Sequence, residues 1–408
     1  MSSIRSITFR PMFLRRTSLR CWTRRMSTER CRAKGKRMRI SRARPDEYDA
    51  IQRYLEDAYG LPCGFFPADY PHLWRKEHTD FRNILLIRQG GAIASLVRIF
   101  PMTLVCADAT IPAGGIGAVS TSPSFRGRGY MTALMREALS AMRADGYAVS
   151  VLWGDRQRYS HFGYEHAGTV YELTFSSRSI ARAGLRAAGV RRWLGERDLL
   201  TRIHAAYLQQ RSHAVRTITQ TRQCLMKRDC TVYVWEQKGE FAYAVRSGWR
   251  GQIVEHGGSP AGILRILIHL DQRFGAGALT VPFPGRDAVA DILLDAAAGW
   301  CVRTTGMVRI LDPVRLCTAY RRHFERCLPD GAELSLGIEG ETGAAVSSRG
   351  GRASVRAARH PDLCLSSPQA SRLVFGPCAE PLARRGTTAE LCGKVFPLPF
   401  FIWPTDHC

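Results

Sequence analysis

The run Ser124-Phe125-Arg126-Gly127-Arg128-Gly129-Tyr130-Met131 combines the residue types that gather anionic phosphates. Glycines two positions apart let the main chain come close to a ligand, and the arginines between and before them add positive charge. Immediately downstream, Met131, Leu134, Met135, Ala138, Leu139 and Met142 recur at helical spacing, which puts the glycines at a helix N-terminus. The first amides of a helix have no partners within it, and the helix dipole favours negative charge there. The spacing therefore predicts a pyrophosphate cradle built from the main-chain N–H groups of residues 127–132. A Gly- and Arg-rich surface turn is the bland alternative. The strand-like lead-in from Val119 to Pro123, with a periodic helix behind, favours the cradle.

Such a turn needs strands on both sides. Residues 115–121 read as the strand entering it, and 148–153 as a short buried strand after Gly146 stops the helix. Upstream, Pro45-Asp46-Glu47 opens a helix carrying Tyr48, Ile51, Leu55 and Tyr59, broken by Gly60, Pro62 and Gly64. Strands at 83–88 and 92–105 meet at Gln89-Gly90-Gly91, a hairpin signal. Beyond residue 170 the signals thin. Residues 231–234 and 241–245 flank Gln237-Lys238-Gly239 as a second hairpin, and 261–270 and 287–300 read as helices. Residues 331–360, rich in Gly, Ser, Ala and Arg, look like an open sheet with loops. The closing run 395–403 is apolar and stiffened by proline; its aromatics would be costly in water, so it is expected to dock.

Val119-x-Thr121-x-Pro123-x-x-Arg126-Gly-Arg-Gly129 resembles the acetyl-coenzyme A signature of the GNAT acetyltransferases. Met131 stands where that signature usually has Gly or Ala, a departure that larger members share. The continuation Leu152-Trp-Gly-Asp-Arg-Gln-Arg-Tyr159-Ser-His-Phe162-Gly-Tyr164-Glu165 and the long tail resemble the Eis (enhanced intracellular survival) family. The similarity is specific over 110–170 and at the terminus, looser over 38–110 and weak over 171–390. The resemblance implies an α/β (α+β) fold: a GNAT domain at 38–170, a second GNAT-like mixed-sheet domain at 171–300, and a sterol-carrier-like α+β domain at 301–408. It implies acetyl-CoA as co-substrate, held by Val119, Ser120 and Thr121 along the pantetheine arm and by Arg126, Gly127, Arg128, Gly129, Tyr130, Met131 and Thr132 at the pyrophosphate. Gly154 and Asp155 would lie beside the acetyl end. A homo-oligomer, a hexamer by resemblance, is the implied assembly.

Acetyl transfer to an amine needs a neutral nucleophile, a polarised thioester carbonyl and a proton for the departing thiolate. Tyr159 falls where the resemblance places the proton donor. A phenol of ordinary pKa ~10 lies only slightly above a thiol's ~8.5, so the transfer is a small uphill step. The same resemblance makes the C-terminal α-carboxylate, here that of Cys408, the general base, either directly or through water. Tyr159 and Tyr164 as mere packing, and a tail that only seals the third domain, are the structural alternatives. His161, His166 and His407 read as structural. Asp406 reads as either a solvated terminal acid or a contact for a substrate ammonium.

The formal charge of +24 over 408 residues looks like a nucleic-acid signature until it is located. Residues 1–37 hold twelve Lys or Arg against one acid, Glu29, so +11 of the +24 sits there. That segment reads as a basic, disordered extension ahead of a folded part beginning at Met38; it is Arg-rich and acid-poor, as transit peptides are. No recognisable nucleic-acid reader accompanies it, so nucleic acid is an unexpected partner. Nor does any apolar run reach membrane-spanning length. Thirteen cysteines are scattered without a C-x-x-C pair, which speaks against zinc and for reduced thiols in a cytoplasmic protein. No metal is expected. The rival functional class is a catalytically idle GNAT scaffold whose third domain carries a lipid; an intact phosphate turn favours the enzyme, whose acceptor would be an aminoglycoside, a polyamine or a lysine side chain.

Overall fold

A computed structural model describes residues 38–248, 251–275, 279–285, 288–377 and 387–407. The basic segment 1–37 and Cys408 therefore lie outside the described residues. The first five strands and their turns keep close to the sequence pattern. Strands β1 (Ile40–Arg42), β2 (Ile84–Gln89) and β3 (Ala92–Cys106) are antiparallel neighbours, with Gly90 and Gly91 in the left-handed region at the β2–β3 hairpin. β4 (Ala109–Thr121) returns along β3, and β5 (Val149–Leu152) lies parallel to β4. Between β1 and β2 the chain forms helix α1 (Tyr48–Tyr59), ended by left-handed Gly60, and the short helices α2 (Phe65–Asp69) and α3 (Pro71–Trp74).

The β4–β5 crossover is helix α4 (Tyr130–Ala144). Its face Leu134, Met135, Ala138 and Met142 is fully buried against Leu85, Ile87, Val97 and Ile99 of the sheet. Burial of each large side chain there is worth roughly 1.5–3 kcal/mol. Gly114 of β4 lies directly under Met142, with no room for a Cβ. The helix is thus seated hard on the strand that leads to its own N-terminus.

Pairing beyond β5 joins distant parts of the chain. The strand Gly306–Ile310 runs antiparallel to β5 on one side and to β6 (Glu165–Ala167) on the other. A strand from within the expected 301–408 domain therefore completes the first sheet. The expected boundary after 300 also divides the strand Gly299–Arg303, which pairs with Val170–Phe175, itself starting at the other expected boundary. Changes of composition mark changes of solvent exposure, whereas pairing over such separations leaves no local trace. The expected helix over 287–300 is shorter, Ala288–Ala296; Gly299 starts the strand instead.

The rest is mixed α/β as well. A four-stranded antiparallel sheet (Val190–Arg192, Cys230–Gln237, Glu240–Ser247, Ile253–Gly258) packs under helix Pro260–Phe274. A second four-stranded sheet spans 333–365, backed by helices Pro313–Ala319, Arg321–Cys327 and Ser367–Phe375. The closing tail is docked: Phe400, Phe401, Ile402 and Trp403 are buried, and Trp403 Nε1 donates to Ser212 O at 2.9 Å. Among the described residues no helix is long and apolar enough to cross a membrane.

Candidate active site

β4 and β5 stay together only at Ala113–Gly115 against Val149–Val151. Past Gly115 they part, leaving β4 main-chain groups open on that side. At the same place the β3–β4 register jumps from Arg98–Gly117 to Leu96–Ser120, so Ala118 and Val119 form a bulge. Ala118 sits at φ +53°, a left-handed conformation that costs an L-residue of order 1–3 kcal/mol. Side chains pin the bulge. Tyr59 Oη, from the end of α1, donates to Val119 O at 3.0 Å, and Ser95 Oγ donates to Ser120 O at 2.7 Å.

Beyond β4 the chain makes one tight turn at Pro123–Phe125 and enters α4 through Gly127 at φ +76° and Gly129 at φ +74°. Gly129 is the N-cap, and no side chain accepts from the first amides of the helix. A Cβ built on either glycine would meet nothing within 4 Å. Left-handed glycines alternating with ordinary residues turn successive N–H groups into one concavity, an anion nest. Arg126 and Arg128 are exposed beside it. Phe125 stacks under Arg128 at 5.3 Å and packs near Tyr130.

The turn, the bulge and Tyr59 enclose a cleft of about 690 Å³. Val119, Ser120, Thr121 and all seven residues Arg126–Thr132 named from the sequence line it, together with Arg158, which the sequence did not suggest. Gly154 and Asp155 do not line this cleft. Gly154 lies against the Tyr159 ring, too close for any Cβ, and Asp155 caps helix α5 (Arg156–Tyr159) by accepting from Gln157 N at 2.8 Å.

A smaller cavity of about 250 Å³ shares Tyr59 and Val119 with the cleft and continues into the gap between β4 and β5. Tyr159 lines it, 7% exposed, its ring edge-on to Tyr164 at 6.5 Å. Burial pushes the Tyr159 phenol above its ordinary pKa, partly offset by Arg158. Tyr164 is fully buried with Oη 2.6 Å from Ser150 Oγ, a packing role. Glu165 is held by Arg156 through two bonds of 2.6 Å. The aromatic cluster Tyr59, Phe65, Phe66, Tyr70 and Trp74 was overlooked in the sequence; five aromatics within sixteen residues was the available signal.

The tail reaches the same place. His407 stacks on Trp153, a wall of the cavity, at 4.0 Å between rings. One step back, Asp406 is neither solvated nor free for a substrate ammonium. Arg216 Nε donates to it at 2.6 Å and Tyr207 Oη at 2.8 Å, all three buried, while the same guanidinium reaches Glu255 at 3.0 Å and Thr405 at 2.8 Å. Cys408 itself is outside the described residues. Among the described residues no group of three or more His, Cys, Asp or Glu is placed to hold a metal ion.

Comparison with known proteins agrees with this geometry. Residues 39–167 match the family model of the Acetyltransferase (GNAT) domain. A search of the curated proteins returns no match. Among solved structures, a GCN5-related N-acetyltransferase from Kribbella flavida is similar over 91% of this chain and 100% of its own, at 20% identity and a TM-score of 0.65. A probable N-acyltransferase from Enterococcus faecalis has the same coverage at 17% identity and 0.70, and Eis1 from Mycobacterium abscessus at 15% and 0.66. At such identities the likeness establishes the fold. Residues 39–167 are thus similar to the GNAT acetyltransferase domain, and the fold of the chain is similar to that of these solved structures.

Proposed function

We propose that the protein transfers an acetyl group from acetyl-coenzyme A to a primary amine. The observation that carries this reading is the uncapped, doubly glycine-turned start of α4, whose cleft runs along the bulged end of β4 to the cavity holding Tyr159. Phosphates bind at the α4 amides, with Arg126, Arg128 and Arg158 adding charge; the pantetheine arm lies along residues 119–121. The amine nitrogen attacks the thioester carbonyl carbon as the C–S bond breaks. A main-chain amide of the β4 bulge steadies the developing oxyanion, and Tyr159 gives its proton to the leaving thiolate. The proton lost by the amine goes to the α-carboxylate of Cys408, the residue after His407, whose ring stacks on Trp153.

An ammonium of pKa ~10 is a poor nucleophile, and the apolar walls help by disfavouring its charged form. Amine-dependent release of free thiol from acetyl-CoA tests the proposal. Rates that match the amine-free background with every primary amine would end it. Adding a few residues after Cys408 tests the base separately: undiminished turnover would remove the carboxylate from the mechanism and leave the transfer intact.

A further inference from the structure

The cavity beyond the coenzyme cleft has a composition unsuited to polycations. Among the described residues fourteen line it; eight of these are aromatic and none is charged. Its walls are preformed: Phe66, Trp74 and Phe100 are almost fully buried, Phe66 tilted against Trp74 and Trp74 edge-to-face with Phe100, with ring centres 5.5 Å and 6.0 Å apart. Trp153 closes the opposite side, its indole N–H already committed to Thr305 O at 2.8 Å.

Behind the wall the charge is positive. Arg98, 2% exposed, lays its guanidinium over Trp74 at 4.2 Å and over Phe100 at 4.7 Å. Arg158 stands in the adjoining cleft. The carboxylates on neighbouring segments have other partners. Glu56 accepts from Gly64 N at 2.7 Å, Asp69 faces Arg228 at 3.6 Å, and Asp155 caps α5.

A substrate ammonium entering this space gains π faces but no counter-charge from the described side chains; the one carboxylate assigned to it is that of Cys408, the proposed base. One such group is tolerable, because it must shed its proton to react. Each further ammonium would be stripped of water with no second carboxylate among the described lining residues to neutralise it. Size points the same way: 250 Å³ lies below the about 300–1,000 Å³ of sites for drug-sized ligands.

On the strength of the acetyl-transfer reading, we infer that the acceptor is a monoamine with a compact aromatic body, an arylalkylamine, and that polyamines and aminoglycosides are poor substrates. The aromatic ring of the substrate stacks among Phe66, Trp74 and Trp153, and its amine points back towards Val119 and Tyr159, where the acetyl group arrives.

Thiol release from acetyl-CoA with 2-phenylethylamine, spermidine and kanamycin at one pH and ionic strength tests this. We expect kcat/KM for phenylethylamine to exceed the other two at least 100-fold. Comparable or inverted values would overturn the inference while leaving acetyl transfer standing; no release with any of the three would overturn both. Octanoyl-CoA used faster than acetyl-CoA, with no advantage for phenylethylamine, would mean that the cavity houses an acyl chain, and the inference falls. Leu61→Glu adds a carboxylate to the half-buried rim of the cavity. It should cut phenylethylamine kcat/KM at least tenfold and raise that of spermidine; an unchanged preference in the folded variant counts against the inference.

Discussion

Replacing Gly129 by alanine separates a glycine that serves a ligand from one that serves a turn. At φ +74° the new side chain must accept a left-handed conformation, at a cost of about 1–2 kcal/mol. Nothing else in the free protein resists it, since a Cβ there has no neighbour within 4 Å. The strain is the same with and without coenzyme, so by itself it leaves the affinity unchanged. The methyl group does not. It projects into the cleft at the amides that take the phosphates, and displacing one hydrogen bond to a charged oxygen costs about 1.5–3 kcal/mol. The dissociation constant for coenzyme A should therefore rise roughly ten- to 150-fold. Gly340→Ala is the control: φ +75°, also with empty space around it, but in the turn between strands Glu333–Ile338 and Gly343–Arg349. Urea unfolding should show similar destabilisation for both variants, and calorimetry should show weakened binding for Gly129→Ala alone. Wild-type affinity in a folded Gly129→Ala protein would refute the phosphate cradle.

Tyr159→Phe should lower kcat by about 10²–10³-fold, within the range for loss of a general acid, with coenzyme affinity unchanged; wild-type turnover would exclude the assignment. Because burial raises the Tyr159 phenol, it stays a proton donor past its ordinary pKa of ~10, so kcat should show no alkaline decline from this group below that pH. Arg216→Met leaves the buried carboxylates of Asp406 and Glu255 without their cation and should cost about 3–5 kcal/mol by urea unfolding, along with turnover as the tail loosens; a loss under about 1 kcal/mol would show the clamp to be idle. Glu165 is pushed up by burial, but Arg156 and the His166 amide hold it net below its ordinary range. Its stabilisation is therefore complete above an unfolded carboxylate's pKa of ~4.3 and is lost as pH falls through the lower folded value. Glu165→Gln should thus be less stable than wild type by about 1–3 kcal/mol at neutral pH and equal to it in acid, as read from parallel unfolding curves at the two pH values.

What the sequence disclosed was local. The Gly127–Gly129 turn, the amphipathic face of α4, the glycine hairpin before β3 and the apolar tail each carry their instruction within a dozen residues, and each folds as read. What it concealed was assembled from afar. The insertion of Gly306–Ile310 between β5 and β6 depends on partners some 140–160 residues away in the chain. The aromatic cavity takes walls from α1–α3, β3, β4 and the segment after β5, so the aromatic window at 59–74 shows only part of its lining. Asp406 read as a solvated terminal acid or a contact for a substrate ammonium because its partners Arg216 and Tyr207 lie 190 residues or more upstream. Gly154 adjoins the Tyr159 ring, with no room for a Cβ between them.

The chain holds its own control for these glycines. Two fifteen-residue helices come after a strand through a glycine-bearing turn: α4 after β4, and Pro260–Phe274 after Ile253–Gly258. In the second, Ser259 Oγ accepts from Gly262 N at 3.3 Å and Pro260 has no N–H to offer, so the helix start is already satisfied. Its glycines are also spoken for. A Cβ on Gly258 would strike Phe241 O, and one on Gly262 would strike the Trp235 and Ala242 side chains, so both residues exist to let the strand and helix close on each other. At α4 the order is reversed. The cap is a glycine without a side-chain acceptor, and the space beyond Gly127 and Gly129 is empty. A glycine pair before a helix is ambiguous as text; its meaning lies in what occupies the volume that a side chain would have taken. Where protein fills it, the glycines serve packing. Where nothing does and no side chain caps the amides beyond, the unfilled volume is what an anionic ligand requires, and this is why the proposed donor site is assigned to α4.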